Sequence, residues 1–323
     1  MFSKEDASRL RESLGAMQFE TPAPRSELLQ KYCNFYGLNF GSALQPVTHS
    51  IGYLASGEFK IVCQHFQVPL AQQRGTTFLV HGYFDHVGIY SHVIRRCLRR
   101  GFSVVIFDLP GHGLSSGVEA SIGSFHQYVA ALLACLQLAQ QQQVHGPWTI
   151  IGQSTGGAII IDALLEEQLA TRFNFAAYVL LAPLLRSNSW YRSKLLFQIT
   201  RWFLQSTRRK FARNSHDPEF LNFLQHNDSL QSRVLQRDWV LAMVDYQGRF
   251  ARSPLSNQTL HIIHGSGDGT VDWKYNLPQF LAKFPRAKIY MIADAGHHLV
   301  NEAQPYRERV FAALDEIIAG ATN

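Results

Sequence analysis

The chain has no apolar run approaching the ~18 residues that cross a bilayer, so nothing in its 323 residues reads as a membrane span. Cysteine is scarce: Cys33, Cys63, Cys97 and Cys135 form no C-x-x-C and no Cys/His cluster, and each falls in an apolar run. That excludes a disulfide-stapled framework and is the usage of reduced core thiols in an intracellular protein. Histidine is plentiful, at 14, yet no two histidines stand at helical metal-ligand spacing beside an acid, and no G-x-G-x-x-G follows a strand-like run. No metal, nucleotide or other cofactor is therefore expected. No apolar leader is expected either. Met1-Phe2-Ser3-Lys4-Glu5-Asp6 puts acids where a secretory signal would be apolar, and Ser3 and Asp6 are spaced as a helix capping pair. The expected compartment is the cytoplasm.

Acids are also missing from residues 186–213, which hold Arg186, Arg192, Lys194, Arg201, Arg208, Arg209, Lys210 and Arg213. These eight exceed the net charge of the whole chain, +6, so the basic character is local. Leu195, Leu196, Ile199, Trp202 and Phe203 form one helical stripe there, flanked by Lys194 and Arg201, with Phe197 and Leu204 off it. Two readings stand open: a helix with a solvated basic edge, or a surface that makes peripheral contact with anionic membrane headgroups while its apolar side chains line a tunnel. Nucleic acid is not an expected partner, because no recognition fold accompanies the patch. Oligomeric state is not legible.

Apolar residues make up 46% of the chain, enough for a sizeable core. Strand-like runs at 59–69, 76–81, 102–109, 148–152, 176–183, 259–265 and 288–292 alternate with helix-like runs. That alternation argues for an α/β fold, a mostly parallel sheet flanked by helices. Residues 52–59 read as a hairpin turn and residues 20–27 as a linker. Between Leu184 and Gly248 the alternation stops and long helical patterns replace it. The expected division is a helical extension at 1–44, a core at 45–183 and 257–323, and a helical cap inserted at 184–256.

Ile151-Gly152-Gln153-Ser154-Thr155-Gly156-Gly157 carries the chemistry. It is a G-x-S-x-G between a buried strand, Trp148-Thr149-Ile150-Ile151, and a helix start. Such a turn is very tight; small residues at 152 and 156 let strand and helix approach, and the serine hydroxyl is lifted to where a base can reach it. The two partners it needs follow at other strand ends. Asp268 closes His264-Gly265-Ser266-Gly267-Asp268, 114 residues on, and His297 follows Ala293-Asp294-Ala295-Gly296, a further 29 on. The order Ser154, Asp268, His297 gives a nucleophile, an orienting acid and a base. Asp272 is the other candidate acid and reads better as the N-cap of a helix over residues 273–283. His298 reads as a pocket-wall or solvated histidine. The N–H groups of Thr155 and of Tyr83, which follows His81-Gly82, are the candidate oxyanion donors. His81, Asp108 and His112 read as structural.

Four stretches together resemble the α/β-hydrolase superfamily, and within it the lysophospholipase and monoacylglycerol lipase branch. They are His81-Gly82-Tyr83, the D-x-x-G-H-G-x-S-x-G run from Asp108 to Gly117, Gly152-Gln153-Ser154-Thr155-Gly156-Gly157, and Gly296-His297 with Asn301-Glu302 behind it. The resemblance covers roughly residues 45 to 320. It implies an eight-stranded sheet with a cap over the serine, and cleavage of carboxylic esters through an acyl-enzyme, with small-molecule or single-chain lipid esters as substrates. One departure is Gln153 and Thr155, where lipases of this branch often carry histidine and methionine. An aminopeptidase or amidase on the same scaffold is the alternative, and a non-enzymatic binding protein the alternative of a different class.

Overall fold

The computed structural model describes every residue except 25, 42–45, 167–168, 189, 191–203, 210 and 323. The stripe at 195–203, with Arg192, Lys194, Arg201 and Lys210, lies outside the described residues.

Among the described residues ten strands form: β1 Thr48–Ser56, β2 Phe59–Gln67, β3 Gly75–Val80, β4 Phe102–Phe107, β5 Trp148–Gln153, β6 Phe175–Leu181, β7 Ser206–Arg208, β8 Val234–Gln236, β9 Leu260–Gly265 and β10 Lys288–Ile292. Eight make one sheet in the order β1-β2-β4-β3-β5-β6-β9-β10. β2 runs antiparallel to both its neighbours and all other pairs are parallel. β3 and β4 are buried along their whole length. A strand covered on both faces needs apolar side chains on both, which is why these runs read as continuous and not alternating.

Helices supply the cover. Phe125–Gln141, Thr155–Leu165 and Arg237–Arg252 pack on one face. Ser91–Arg99 and Gln304–Thr322 pack on the other, together with the N-terminal helices Lys4–Ser13 and Glu27–Tyr36. Ser3 and Asp6 form the expected capping box. The chain then runs along the sheet edge, where Met17 N–H donates to the Tyr53 carbonyl and Tyr53 N–H to that of Gly15. An unpaired edge strand invites association, and this segment occupies part of it.

Two local readings change. The hairpin turns at Gly57-Glu58, so Gly52 lies inside β1, where a Cβ would come within 2.7 Å of Met17 Cα. Its small size serves the passage of the N-terminal segment. The long connection between β6 and β9 is not wholly helical: β7 and β8 pair antiparallel within it, three residues each. Strands that short have no periodicity to betray them.

Candidate active site

Ser154 sits between β5 and the helix Thr155–Leu165 at φ 53°, ψ −110°. A non-glycine residue rarely adopts a positive φ, and it persists where the surroundings over-determine it. Here the Ser154 N–H donates to the Leu181 carbonyl and its own carbonyl accepts from Ala158 and Leu184. The close crossing explains the glycines. A Cβ on Gly156 would lie 2.0 Å from the Val80 carbonyl oxygen, and one on Gly152 would lie 2.6 Å from the Gly156 carbonyl.

The structure brings Ser154, His297 and Asp268 together. Ser154 Oγ lies 2.9 Å from His297 Nε2, and His297 Nδ1 lies 2.7 Å from Asp268 Oδ2. Asp268 Oδ1 accepts from the N–H groups of Thr270 and Val271, at 2.7 and 3.1 Å, which fixes the carboxylate plane. Burial works against the Asp268 charge, but His297 and His264 outweigh it and hold the carboxyl well below the usual carboxylate range. Burial likewise works against charging His297, yet Asp268 lifts the imidazole above its ordinary value. The pair favours a protonated imidazole beside an ionised carboxylate, the state that any serine–histidine–aspartate triad needs once its serine has given up a proton. Asp272 does not reach the histidine; it caps the helix Trp273–Lys283 by accepting from Tyr275 N–H.

The loop carrying His297 is tied down. Glu302, fully buried, accepts from the N–H groups of Gly296, His216 and Ala303 and from His216 Nδ1. Gln153 Nε2 donates to the His297 carbonyl at 2.9 Å, joining the serine turn to the histidine loop. His81 accepts from Leu109 N–H on Nε2, with Nδ1 2.8 Å from the Gly82 carbonyl, and burial pushes its ring down to about 3. It braces the loop as a neutral ring. Asp108 accepts from Val87 and Leu114 N–H, and His112 Nδ1 meets the Pro110 carbonyl.

Thr155 opens its helix, where the first N–H groups have no intrahelical acceptor. Tyr83 follows Gly82, which is close enough to the serine that an added Cβ would be 3.4 Å from Ser154 Cβ. Both residues line the cavity that holds Ser154 and His297. That cavity, of about 340 Å³, has an apolar wall that includes Leu184, Leu224, Trp239, Val240, Met243 and Val271. The Tyr83 ring stacks on Trp239 at 3.8 Å and 14°, and its hydroxyl donates to the Ala120 carbonyl.

Asp85 and His264 escaped the sequence reading, and His298, read as a pocket-wall or solvated histidine, lines the cavity. His298 is buried and its Nε2 lies 3.2 Å from Asp85 Oδ1. Asp85 also accepts from the Tyr90 hydroxyl and Gly82 N–H. His264 Nε2 lies 3.2 Å from Asp268 Oδ2, off the direction a hydrogen bond needs. A His followed three residues on by Gly-Asp was visible in the sequence, but nothing local points at either contact.

Monoglyceride lipases of rat and human are 28% and 29% identical over 144 residues, 45% of this chain; the chain thus spans about half the length of these curated relatives, 45% in each case. A soluble variant of the Saccharomyces cerevisiae monoglyceride lipase, in complex with a substrate analog, superposes with a TM-score of 0.73 at 15% identity, over 87% of this chain and 98% of that one. The Paleococcus ferrophilus monoacylglycerol lipase gives 0.66 at 18% identity, over 80% and 98%. At such identities the superpositions speak for the fold, which is that of the α/β-hydrolases. The family described as serine aminopeptidase, S33, matches residues 71–304, well over half of the chain, and the protein belongs to that family.

Proposed function

We propose that the protein is a serine hydrolase that cleaves carboxylic esters of single-chain lipids through an acyl-enzyme. The observation that carries this is the unbroken chain Ser154–His297–Asp268 opening into a mostly apolar cavity. Ser154 Oγ attacks the ester carbonyl while His297 Nε2 takes its proton, and Asp268 stabilises the imidazolium. The oxyanion falls between the N–H groups of Tyr83 and Thr155. Collapse expels the alcohol with the proton from His297, and water repeats the sequence on the acyl-enzyme. The apolar wall takes the acyl chain, and residues 184–256 act as its cap. The similarity to monoglyceride lipases supports the ester reading.

Amide cleavage is the second reading, favoured by the name of the family. An aminopeptidase needs an acid for the substrate ammonium. Asp85 is the one acid among the described cavity-lining residues, and three donors already occupy it. That supports the ester. No helix among the described residues is long and apolar enough to cross a membrane; the exposed Arg208 and Arg213 suit peripheral contact with an anionic surface.

Ser154→Ala is expected to abolish fluorophosphonate labelling and to cut hydrolysis of p-nitrophenyl and monoacylglycerol esters by ~10⁴ or more. A variant that still labels and turns over would refute the assignment.

A further inference from the structure

Arg209 is unlike the rest of the basic stretch. Arg208 and Arg213 are exposed, whereas Arg209 is half-buried in the wall of the cavity that holds Ser154 and His297. The same side chain borders a second recess on the outer face, with Arg208, Arg233 and His226. It stands as the partition between the two.

The guanidinium is held in place. Its carbon lies 4.0 Å from the centroid of the Phe84 ring and 4.5 Å from that of Phe211. Nη1 donates to Gln231 Oε1 and to the Ser232 carbonyl. These contacts engage one of three nitrogens, and among the described residues no carboxylate pairs with the group. Asp85 faces the same cavity but is already served by Gly82, Tyr90 and His298. Burial pulls the guanidinium down to about 10, which leaves it cationic at neutral pH. Asp85 and Asp228 attract the charge only from beyond ion-pair contact; a charge drawn partly out of water with no carboxylate in contact is unfavourable, and its remaining donors have the fork geometry that phosphate accepts. Position ties it to the reaction: Phe84, on which it stacks, is two residues from Gly82, which lies against Ser154. Because the acyl chain takes the apolar wall, a charged group on the substrate belongs on the alcohol side.

We propose that Arg209 is a specificity-determining residue that binds a phosphate on the alcohol portion of the ester, so that single-chain phospholipids are preferred over neutral monoacylglycerols. The inference rests on the hydrolase reading above.

The test compares kcat/KM for 1-lauroylglycerol and its 3-phosphate in the wild type, Arg209→Gln and Arg209→Lys. Arg209→Gln is expected to lower the phosphate-to-neutral ratio about ten- to hundredfold, the range of a hydrogen bond to a charged group. Arg209→Lys, which keeps the charge and loses the fork, should restore part of it. Equal losses on both lipids, or an unchanged ratio, would overturn the proposal. A binding arm in the Ser154→Ala background removes turnover: the phosphate lipid should bind more tightly than the neutral one, and adding Arg209→Gln should erase the difference. Equal affinities before that change overturn it too. Fluorophosphonate labelling of the wild type keeps the two readings apart. Failure to label with a preserved binding preference sinks the hydrolase reading alone, whereas labelling with no preference sinks the Arg209 site alone.

Discussion

Asp268 and Asp272 stand four positions apart, and their surroundings make them unlike. Asp268 is buried against His297 and two backbone N–H groups, and Asp272 accepts from the helix it starts. Asp268→Asn is expected to lower kcat by ~10³ to 10⁴, and Asp272→Asn to leave activity and Tm close to wild type, since Asn caps a helix as well as Asp. The pH profile gives a second readout. In the proposed mechanism His297 must be neutral at Nε2 to accept the serine proton, and Asp268 raises its pKa. Activity should therefore fall as pH drops through a value above 6.5, the ordinary pKa for histidine. Asp268→Asn removes the raising partner, so the acidic limb of the residual activity should move to lower pH. A limb that stays put would mean the carboxylate is not coupled to the ring. Ser154, Asp268 and His297 were legible because glycines and strand ends mark them locally. The pairing of His298 with Asp85, and the place of Arg209 at the wall, were not. Both depend on contacts between segments more than a hundred residues apart, which no local pattern encodes.

Among the elements, the crossing of β5 and the helix Thr155–Leu165 tolerates least. Gly156→Ala would put a methyl group 2.0 Å from a backbone oxygen in the buried β3, where no side chain can swing away. Overpacking of this kind costs about 1–3 kcal/mol and more where backbone must move. The variant should unfold at lower urea than wild type with an unchanged m-value; an unshifted midpoint would show that strand and helix can part at little cost. The regular elements were readable for the reason the crossing is tight: long apolar runs and glycines are the price of a buried parallel sheet. The helix at 273–283 was announced by its Asp272 cap. The connection between β6 and β9 was read as helical throughout because β7 and β8 are too short to alternate and are set only by pairing with each other.

At the scale of the molecule, three of the contacts among the described residues show how distant parts are joined. Arg249, on the helix Arg237–Arg252, reaches Asp162 on the helix Thr155–Leu165 with Nη2–Oδ2 at 2.6 Å, both side chains buried. Tyr83 stacks on Trp239. Asp228 accepts from the Tyr36 hydroxyl at 2.8 Å and lies 2.9 Å from His86 Nε2, which joins an N-terminal helix, the loop after β3 and the β6–β9 connection. Asp162→Ala strands the Arg249 charge. The expected loss is about 3 kcal/mol, the low end for a broken buried pair because Asp245 remains as a partner. Chemical denaturation measures it, and the double change Asp162→Leu with Arg249→Met should recover much of the loss. Equal losses for single and double variants would mean packing matters there and charge does not. That these distant segments meet at all was beyond the sequence, since pairs formed across the whole chain leave no spacing to read.

The backbone of Ser154 has one more consequence. Its positive φ holds strain of order 1–3 kcal/mol, within a total stability of about 5–15 kcal/mol for a typical domain. Glycine would adopt the same turn at ease. If Ser154 is the nucleophile as proposed, endurance and turnover pull in opposite directions at a single codon. A laboratory selection on heat resistance alone would drift towards inert molecules at this position, and a lineage released from its substrate would find the same exit. Any effort to harden this protein has to score turnover in the same round as survival.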